Sequence, residues 1–214
     1  MALPIHSKII NKVARRILKP NGIERKGQSR TWLDDQYWYT TIIEFQPHNW
    51  KKGTFLNVGV NFHWNESEYF SFDIGSRLNE FVEFENEDQF EKEINSLVEL
   101  ALNRSVELKK MLFNITVSEK TIINHKFTSD NLSGNYHRAI ICGLNNKISK
   151  SEHYFNLIME NNHNIAWANK LKSKIEILKE KLKNEAEFKN RINELIKISR
   201  MKKKLKKAEI KNVW

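Results

Sequence analysis

Apolar residues near the start of the chain recur at every fourth position. Ile5, Ile9, Val13 and Ile17 form one stripe of a short amphipathic helix. Pro20 ends this helix, because proline has no backbone N–H to donate to the preceding turn. A helix with a single apolar stripe buries that stripe against other elements, so we expect it to pack on the rest of the domain.

The following part of the chain alternates apolar and polar residues, which is the period of a β-strand. The alternation is clearest in residues 54–64, where Leu56, Val58, Val60 and Phe62 share one face and polar residues occupy the other. One face is therefore expected to be core and the other largely polar. We predict the strands of an antiparallel meander near Trp32 and over residues 37–46, 54–64 and 69–74, with a further short strand at 81–84.

Helical spacing returns in residues 87–113, with acidic residues in the first turn, where the helix dipole favours them. Shorter helices are predicted at 132–144 and 151–159. In residues 163–214 the apolar stripe loses register before Phe188, which predicts two helices or one interrupted helix.

The predicted fold class is α+β. It consists of an N-terminal helix, a four- to five-stranded antiparallel meander, amphipathic helices and a basic helical C-terminal extension. We expect three parts along the chain: an α+β domain at 1–114, a helical connecting region at 115–162 and the basic extension at 163–214.

The net charge of +10 is unevenly distributed. Residues 1–114 hold 15 Lys or Arg against 16 Asp or Glu, whereas residues 163–214 hold 16 against 6. The 27 lysines against 9 arginines, together with 25 asparagines, are also what an AT-rich genome produces without selection on function. Lysine number alone is therefore weak support for any ligand.

The cellular location is predicted from what the chain can and cannot form. Cys142 is the single cysteine, so no disulfide can form within the chain, which is typical of a reducing compartment. Charged residues interrupt the first 19 positions, unlike a signal peptide. No apolar run approaches the roughly 18 to 20 residues of a membrane-spanning helix. We expect a cytoplasmic protein with no membrane contact.

Several short motifs lie between residues 17 and 64. They are a leucine-containing helix end with a glycine loop, a basic residue before glycine with a later aromatic, a strand that ends in glutamine, and an Asn-Val-Gly strand, here represented by Leu18, Gly22, Lys26, Gly27, Trp32, Gln46, Asn57, Val58 and Gly59. In these motifs the first half of the chain resembles a bacterial family of unknown function. The resemblance implies a fold class and a bacterial source, and it assigns no catalytic residue.

The polar face of the predicted sheet is a candidate ligand site, because period two brings polar side chains of neighbouring strands together. Amide and carboxylate groups suit a polar ligand, and a histidine there could supply a proton near neutral pH. The alternative is an ordinary solvated sheet face. The candidate residues are Arg30, Glu44, Gln46, Asn57, Asn61 and His63.

Catalytic and metal-binding patterns are not apparent in the sequence. The histidines lack the close spacing to other ligands that a metal site needs. Cys142 lies in an apolar stretch and is expected to be a buried structural thiol. Glu107 and Lys109 form a nuclease-like E-x-K triplet with Asp73 upstream, but the triplet falls on a predicted helix rather than a strand. We expect no catalytic residue, no metal and no cofactor.

The C-terminal region combines an apolar stripe with many lysines, so three uses are open. The stripe could dock on a protein partner or on a second copy of the chain through Leu171, Ile175, Leu178 and Leu182. The basic cluster could contact nucleic acid through Lys202, Lys203, Lys204, Lys206 and Lys207. The third possibility is a solvated helix without a partner.

From the sequence we expect a non-enzymatic binding or accessory subunit of a bacterial multi-protein system, such as a defence or toxin-linked system, which docks through its C-terminal helices. The first alternative is a sequence-nonspecific nucleic-acid-binding protein that uses the C-terminal lysines. The second alternative is a small-molecule enzyme that uses the polar sheet face.

Overall fold

The computed structural model describes residues 3–127, 131–161 and 165–207. It confirms the α+β fold class, with an N-terminal helix, an antiparallel sheet and then several helices. The chain divides into two compact units. Unit 1 comprises Met1–Phe62 and Tyr69–Lys110, and unit 2 comprises His63–Glu68 and Met111–Trp214.

Unit 1 contains two helices and the sheet. Helix α1 (Ile5–Leu18) buries Ile9 and Val13 of the predicted stripe, whereas Ile5 is exposed and Ile17 is half-buried. The helix continues into a 3₁₀ turn (Lys19–Asn21). Helix α2 (Glu87–Met111) matches the predicted helix, and Lys12 of α1 forms an ion pair of 2.9 Å with Glu91 of α2.

The sheet has six strands where the sequence predicted four or five. The strands are β1 (Glu24–Arg25), β2 (Thr31–Asp35), β3 (Tyr39–Gln46), β4 (Gly53–Phe62), β5 (Ile74–Arg77) and β6 (Val82–Glu83). All pairs are antiparallel in the order β1-β2-β3-β4-β5, and β6 pairs with β4 beyond the end of β5.

One face of β4 is apolar and fully buried, as the alternation predicts. Its side chains are Leu56, Val58, Val60 and Phe62. Each helix of unit 1 forms a hydrogen bond on this side of the sheet. Ser7 Oγ of α1 accepts from Arg30 at 2.5 Å. Ser105 Oγ of α2 donates to Asp34 Oδ2 of β2 at 3.2 Å. This helix-covered face is the core of unit 1.

The opposite face of β4 is also covered at its centre, although the sequence allowed an open, solvated face. A Cβ atom added to Gly59 would meet the ring of Phe72 at 2.1 Å, so the ring lies directly against the glycine backbone. Gly59 is aligned with Gly75 of β5, and a side chain on Gly75 would meet the Gly59 backbone at 2.3 Å. Two small residues at this register position let an aromatic ring shield the middle of the face.

Unit 2 is helical. Its helices are α3 (Ile115–Asn124), α4 (Asn131–Leu144), α5 (Ile148–Met159), α6 (Ala166–Lys181) and α7 (Glu185–Lys202). Helix α4 packs against α3, α5 and α7, while α6 packs against α5 and α7. Asn184 separates the last two helices because its side chain caps α7, accepting from Ala186 N at 3.0 Å and from Glu187 N at 3.2 Å.

The sequence divided this part of the chain into a connecting region and an extension. By its contacts, residues 111–214 belong to one compact unit together with residues 63–68. Large side chains from both parts form its core, among them Ile140, Phe155, Ile175, Leu178, Phe188 and Ile192.

Candidate functional site

Three of the six candidate residues on the sheet meet in unit 1. Asn57 Nδ2 donates to Glu44 Oε2 at 2.9 Å and to Gln46 Oε1 at 2.8 Å. Arg77 of β5 joins them through Nη2, which donates to Gln46 Oε1 at 2.9 Å, while its guanidinium stacks 3.9 Å above the Phe55 ring. These groups satisfy one another, so the cluster stabilises the sheet and offers few unused hydrogen-bonding positions to a ligand.

Asn61 belongs to a separate cluster, four residues from Asn57 along β4. Its Nδ2 donates to Asp73 Oδ2 and to Ser71 Oγ, both at 3.1 Å. Asp73 Oδ2 also accepts from the backbone N–H of Phe62 at 2.7 Å. Asp73 thus fixes the chain beside the end of β4, which is a structural role for this carboxylate.

Arg30 lies on the other face of the sheet from Glu44. The N–H of Phe45 donates to the carbonyl of Arg30, so Arg30 is aligned with Phe45 rather than with Glu44. Its side chain donates to Ser7 Oγ of α1 at 2.5 Å and to Gly53 O at 3.1 Å. The idea that Arg30 joins the polar-face site is wrong, because residues adjacent along an extended chain point to opposite faces.

His63 is placed in unit 2 and is completely buried. Lys203 Nζ lies 3.4 Å from its Nδ1 and donates to Ser199 Oγ at 3.0 Å. Burial lowers the pKa of His63 well below the ordinary histidine value, and Lys203 and Arg200 lower it further. His63 is therefore neutral and inaccessible at neutral pH, which does not suit the proton donor that the sequence suggested.

The neutral, buried state of His63 makes a prediction for stability. Below the ordinary histidine pKa of about 6.5 the unfolded chain binds a proton that the folded chain does not. Stability should therefore fall as the pH drops below 6.5, by up to about 1.4 kcal/mol per pH unit. Urea unfolding of wild type and His63→Gln should differ by a constant amount above pH 7 and by a shrinking amount at lower pH. A constant difference down to pH 5 would contradict this account.

Ser133 and His137 of α4 resemble a nucleophile–base pair in spacing, with 3.4 Å between Ser133 Oγ and His137 Nε2. The indole N–H of Trp64, however, donates to His137 Nδ1 at 2.9 Å. A neutral histidine that accepts at Nδ1 carries its proton on Nε2 and cannot take the serine proton there. The arrangement opposes serine activation, because a catalytic histidine needs an acceptor, not a donor, at Nδ1.

The two remaining catalytic candidates from the sequence are Cys142 and Glu107, and neither has the surroundings of a reactive group. Cys142 is buried, and burial raises the pKa of its thiol to about 11, with Glu119 contributing in the same direction. Glu107 lies on α2 and pairs with Arg104 at 2.9 Å. Within the described ranges no group of three or more His, Cys, Asp or Glu residues could hold a metal ion. In the part of the chain that the structure describes, each helix is too short or too polar to span a lipid bilayer.

The apolar stripe of the C-terminal region faces the interior of unit 2. Ile175, Leu178 and Leu182 are buried, and Leu171 is partly covered. Helix α6 carries this stripe onto α5 and α7, so the chain itself supplies the partner surface. These four residues therefore do not form an open docking face. The docking hypothesis was based on such a face.

The C-terminal lysine cluster is divided between the interior and the surface. Lys203 is only 7% exposed, and Lys202 donates to Glu66 Oε1 at 2.9 Å. Lys204, Lys206 and Lys207 are exposed. The five residues thus do not form a single basic patch.

A different set of lysines lines a groove in unit 2 between α3 and α5, both of which pack on α4. Lys120 projects from α3, Lys147 from the α4–α5 turn, and Lys150 and His153 from α5, one turn apart. The groove has a volume of about 670 Å³. We call it the α3–α5 groove.

The charges of the α3–α5 groove are only partly neutralised. Lys147 Nζ bonds both carboxylate oxygens of Glu119 at 2.7 Å. Neither Lys120 nor Lys150 has a carboxylate within ion-pair distance among the residues that the structure describes. Helix α5 begins here without a side-chain cap, and the partial positive charge of its N-terminus adds to that of the lysines. Anions are therefore favoured at this groove.

Sequence reasoning missed the groove because its residues are far apart in the chain and α3 was not predicted. A usable signal was present in each helix. Thr116, Lys120 and Asn124 recur every four residues, as do Lys150 and Tyr154, so each helix presents one polar, basic face.

The comparisons of this chain with protein-family models, curated proteins and solved structures gave no match.

Proposed function

We propose that this protein is a non-enzymatic nucleic-acid-binding protein that contacts phosphates through unit 2. The observation that carries the proposal is the α3–α5 groove, where Lys120 and Lys150 face solvent without a carboxylate partner in the described residues. Lysines in this state bind phosphates by releasing the counterions that surround a nucleic acid. The groove thus replaces the C-terminal lysine cluster as the main contact.

The distribution of charge between the units supports this proposal. Unit 2 holds 21 Lys or Arg against 12 Asp or Glu, a net charge of +9, whereas unit 1 holds 15 against 14, a net charge of +1. A bias in base composition acts on the whole chain and does not explain a charge excess confined to one unit. A positive unit attracts polyanions over a range set by the salt concentration.

Burial of the apolar stripe supports the same choice between the two binding hypotheses. A protein that docks through a helix needs an apolar face that is open before binding. Leu178 and Ile175 are fully buried within the chain, so the accessory-subunit hypothesis would need another surface. The basic surface needs no rearrangement.

The proposal is tested by the salt dependence of binding. We expect a labelled single-stranded DNA to bind the full-length chain with a logarithmic affinity that falls linearly with the logarithm of salt concentration, by about 0.7 per phosphate contacted. A peptide nucleic acid of the same sequence has no phosphates and should not bind measurably. Fluorescence anisotropy at several salt concentrations measures both. Equal binding of the two polymers, or affinity independent of salt, would contradict the proposal.

A further inference from the structure

Unit 2 has a second, smaller cavity at the first turns of α6, with a volume of about 240 Å³. Trp167, Lys170 and Lys174 of α6 line one side of it, and Asn65, Glu66 and Ser133 contribute polar groups. Its volume is below the roughly 300–1,000 Å³ of pockets that take drug-sized ligands. A single flat ring system is the size of ligand that suits it.

Trp167 supplies an aromatic surface at this cavity. The side chain is 49% exposed although its neighbour Ala168 is buried, so the ring stands at the edge of the folded unit. A partly exposed tryptophan ring beside a cavity is a group on which proteins stack an unpaired base.

Two lysines follow Trp167 on the same side of α6 at intervals of three and four residues. Lys174 Nζ lies 3.5 Å from Glu66 Oε2, and Glu66 Oε1 accepts from Lys202, so this carboxylate fixes the cavity wall. Lys170 is exposed and has no carboxylate within ion-pair distance in the described part of the chain. A cation beside a stacking ring matches the chemistry of a nucleotide, whose base and phosphate lie next to each other.

We infer that this cavity holds one unstacked base of a single-stranded nucleic acid, with Trp167 against the base and Lys170 at the adjoining phosphate. The inference rests on the proposed function and specifies its ligand. A duplex keeps its bases stacked and paired, so it reaches the α3–α5 groove but not this cavity. Single strands should therefore bind more tightly than duplexes at equal salt.

The test compares a single-stranded oligonucleotide with an abasic oligomer of the same length, which has the phosphates but no bases. Wild-type protein should bind the single strand more tightly by about 5- to 150-fold, the range expected for one stacked base. Trp167→Leu should bring this ratio close to one while leaving the abasic oligomer bound as before. Lys170→Gln should weaken both ligands.

Trp50→Leu is the matched control, because Trp50 is 86% exposed but lies in unit 1. It should keep the wild-type ratio, and unchanged far-ultraviolet circular dichroism should show that both tryptophan variants fold. A wild-type ratio near one, or a ratio that Trp167→Leu leaves intact, overturns the base site even if binding remains salt-dependent. Absence of salt-dependent binding to either oligomer overturns the proposed function as well.

Discussion

Leu178→Asp should unfold unit 2 or cost it at least about 4 kcal/mol of stability, because the new carboxylate is buried without a partner. The neighbouring variant Ile177→Asp should cost less than about 1 kcal/mol, since an exposed carboxylate stays hydrated and only helix propensity changes. Leu178 is fully buried, whereas Ile177 is 45% exposed on the same helix. Urea unfolding followed by far-ultraviolet circular dichroism measures both losses.

This pair of variants also separates two uses of the α6 stripe. A stripe that faced an external partner would tolerate Leu178→Asp in the folded monomer and lose the partner instead. Equal stability of the two variants, with a change in oligomeric state for Leu178→Asp alone, would therefore show that the monomer in solution does not bury Leu178.

The second large effect concerns the α3–α5 groove. Replacing both Lys120 and Lys150 by Gln should reduce the slope of log affinity against log salt by about 1.4 for single strands, because each lost phosphate contact removes about 0.7. If the salt-dependent part of the affinity vanishes near 1 M, this change weakens binding roughly 25-fold at 0.1 M. Anisotropy titrations at several salt concentrations give the slope directly.

The double variant Lys181→Gln/Lys189→Gln is the matched control, because it also removes two positive charges from unit 2 but lies outside the groove. These lysines already pair with Glu187 at 2.7 Å and with Glu185 at 2.6 Å. We expect a less than about threefold loss of affinity and an unchanged slope. Similar losses for the two double variants would mean that overall charge, not the groove, governs binding.

Much of the fold could be predicted because single-element patterns determine it. The period-two alternation around Val58 and the helical spacing from Phe90 onward each specify an element and its buried face. Helix α3 was missed because its first turn contains Thr116 and Val117, whose β-branched side chains favour strands. Its one clear signal was Asn114, which caps the helix by accepting from Val117 N.

The candidate sites could be predicted only where they depend on neighbouring strands. Glu44 and Asn57 meet because β3 and β4, which are neighbours in the chain, pair as antiparallel strands with these two residues opposite each other. Arg77 joins them through β5, and no local pattern states where that strand returns. An amphipathic stripe likewise predicts that Ile175 is covered without stating whether the chain or a partner covers it.

Lys203 was misassigned although the sequence contained a signal. Ile192, Ile196, Ser199 and Lys203 continue one stripe at intervals of three and four residues. The run of lysines around position 203 concealed this periodicity, because charge was counted without regard to the helix face. Burial of Lys203 follows from its position on that stripe, next to Ser199.

Crosslinking tests the central claim most directly, namely that the nucleic-acid surface lies in unit 2. A photoreactive single-stranded DNA bound to the full-length chain would be crosslinked by irradiation, and the attached peptides would be identified by mass spectrometry. We predict that crosslinks concentrate in peptides containing Lys120, Lys150 and Trp167 and disappear at high salt. Crosslinks concentrated in residues 1–62 and 69–110 would contradict the claim.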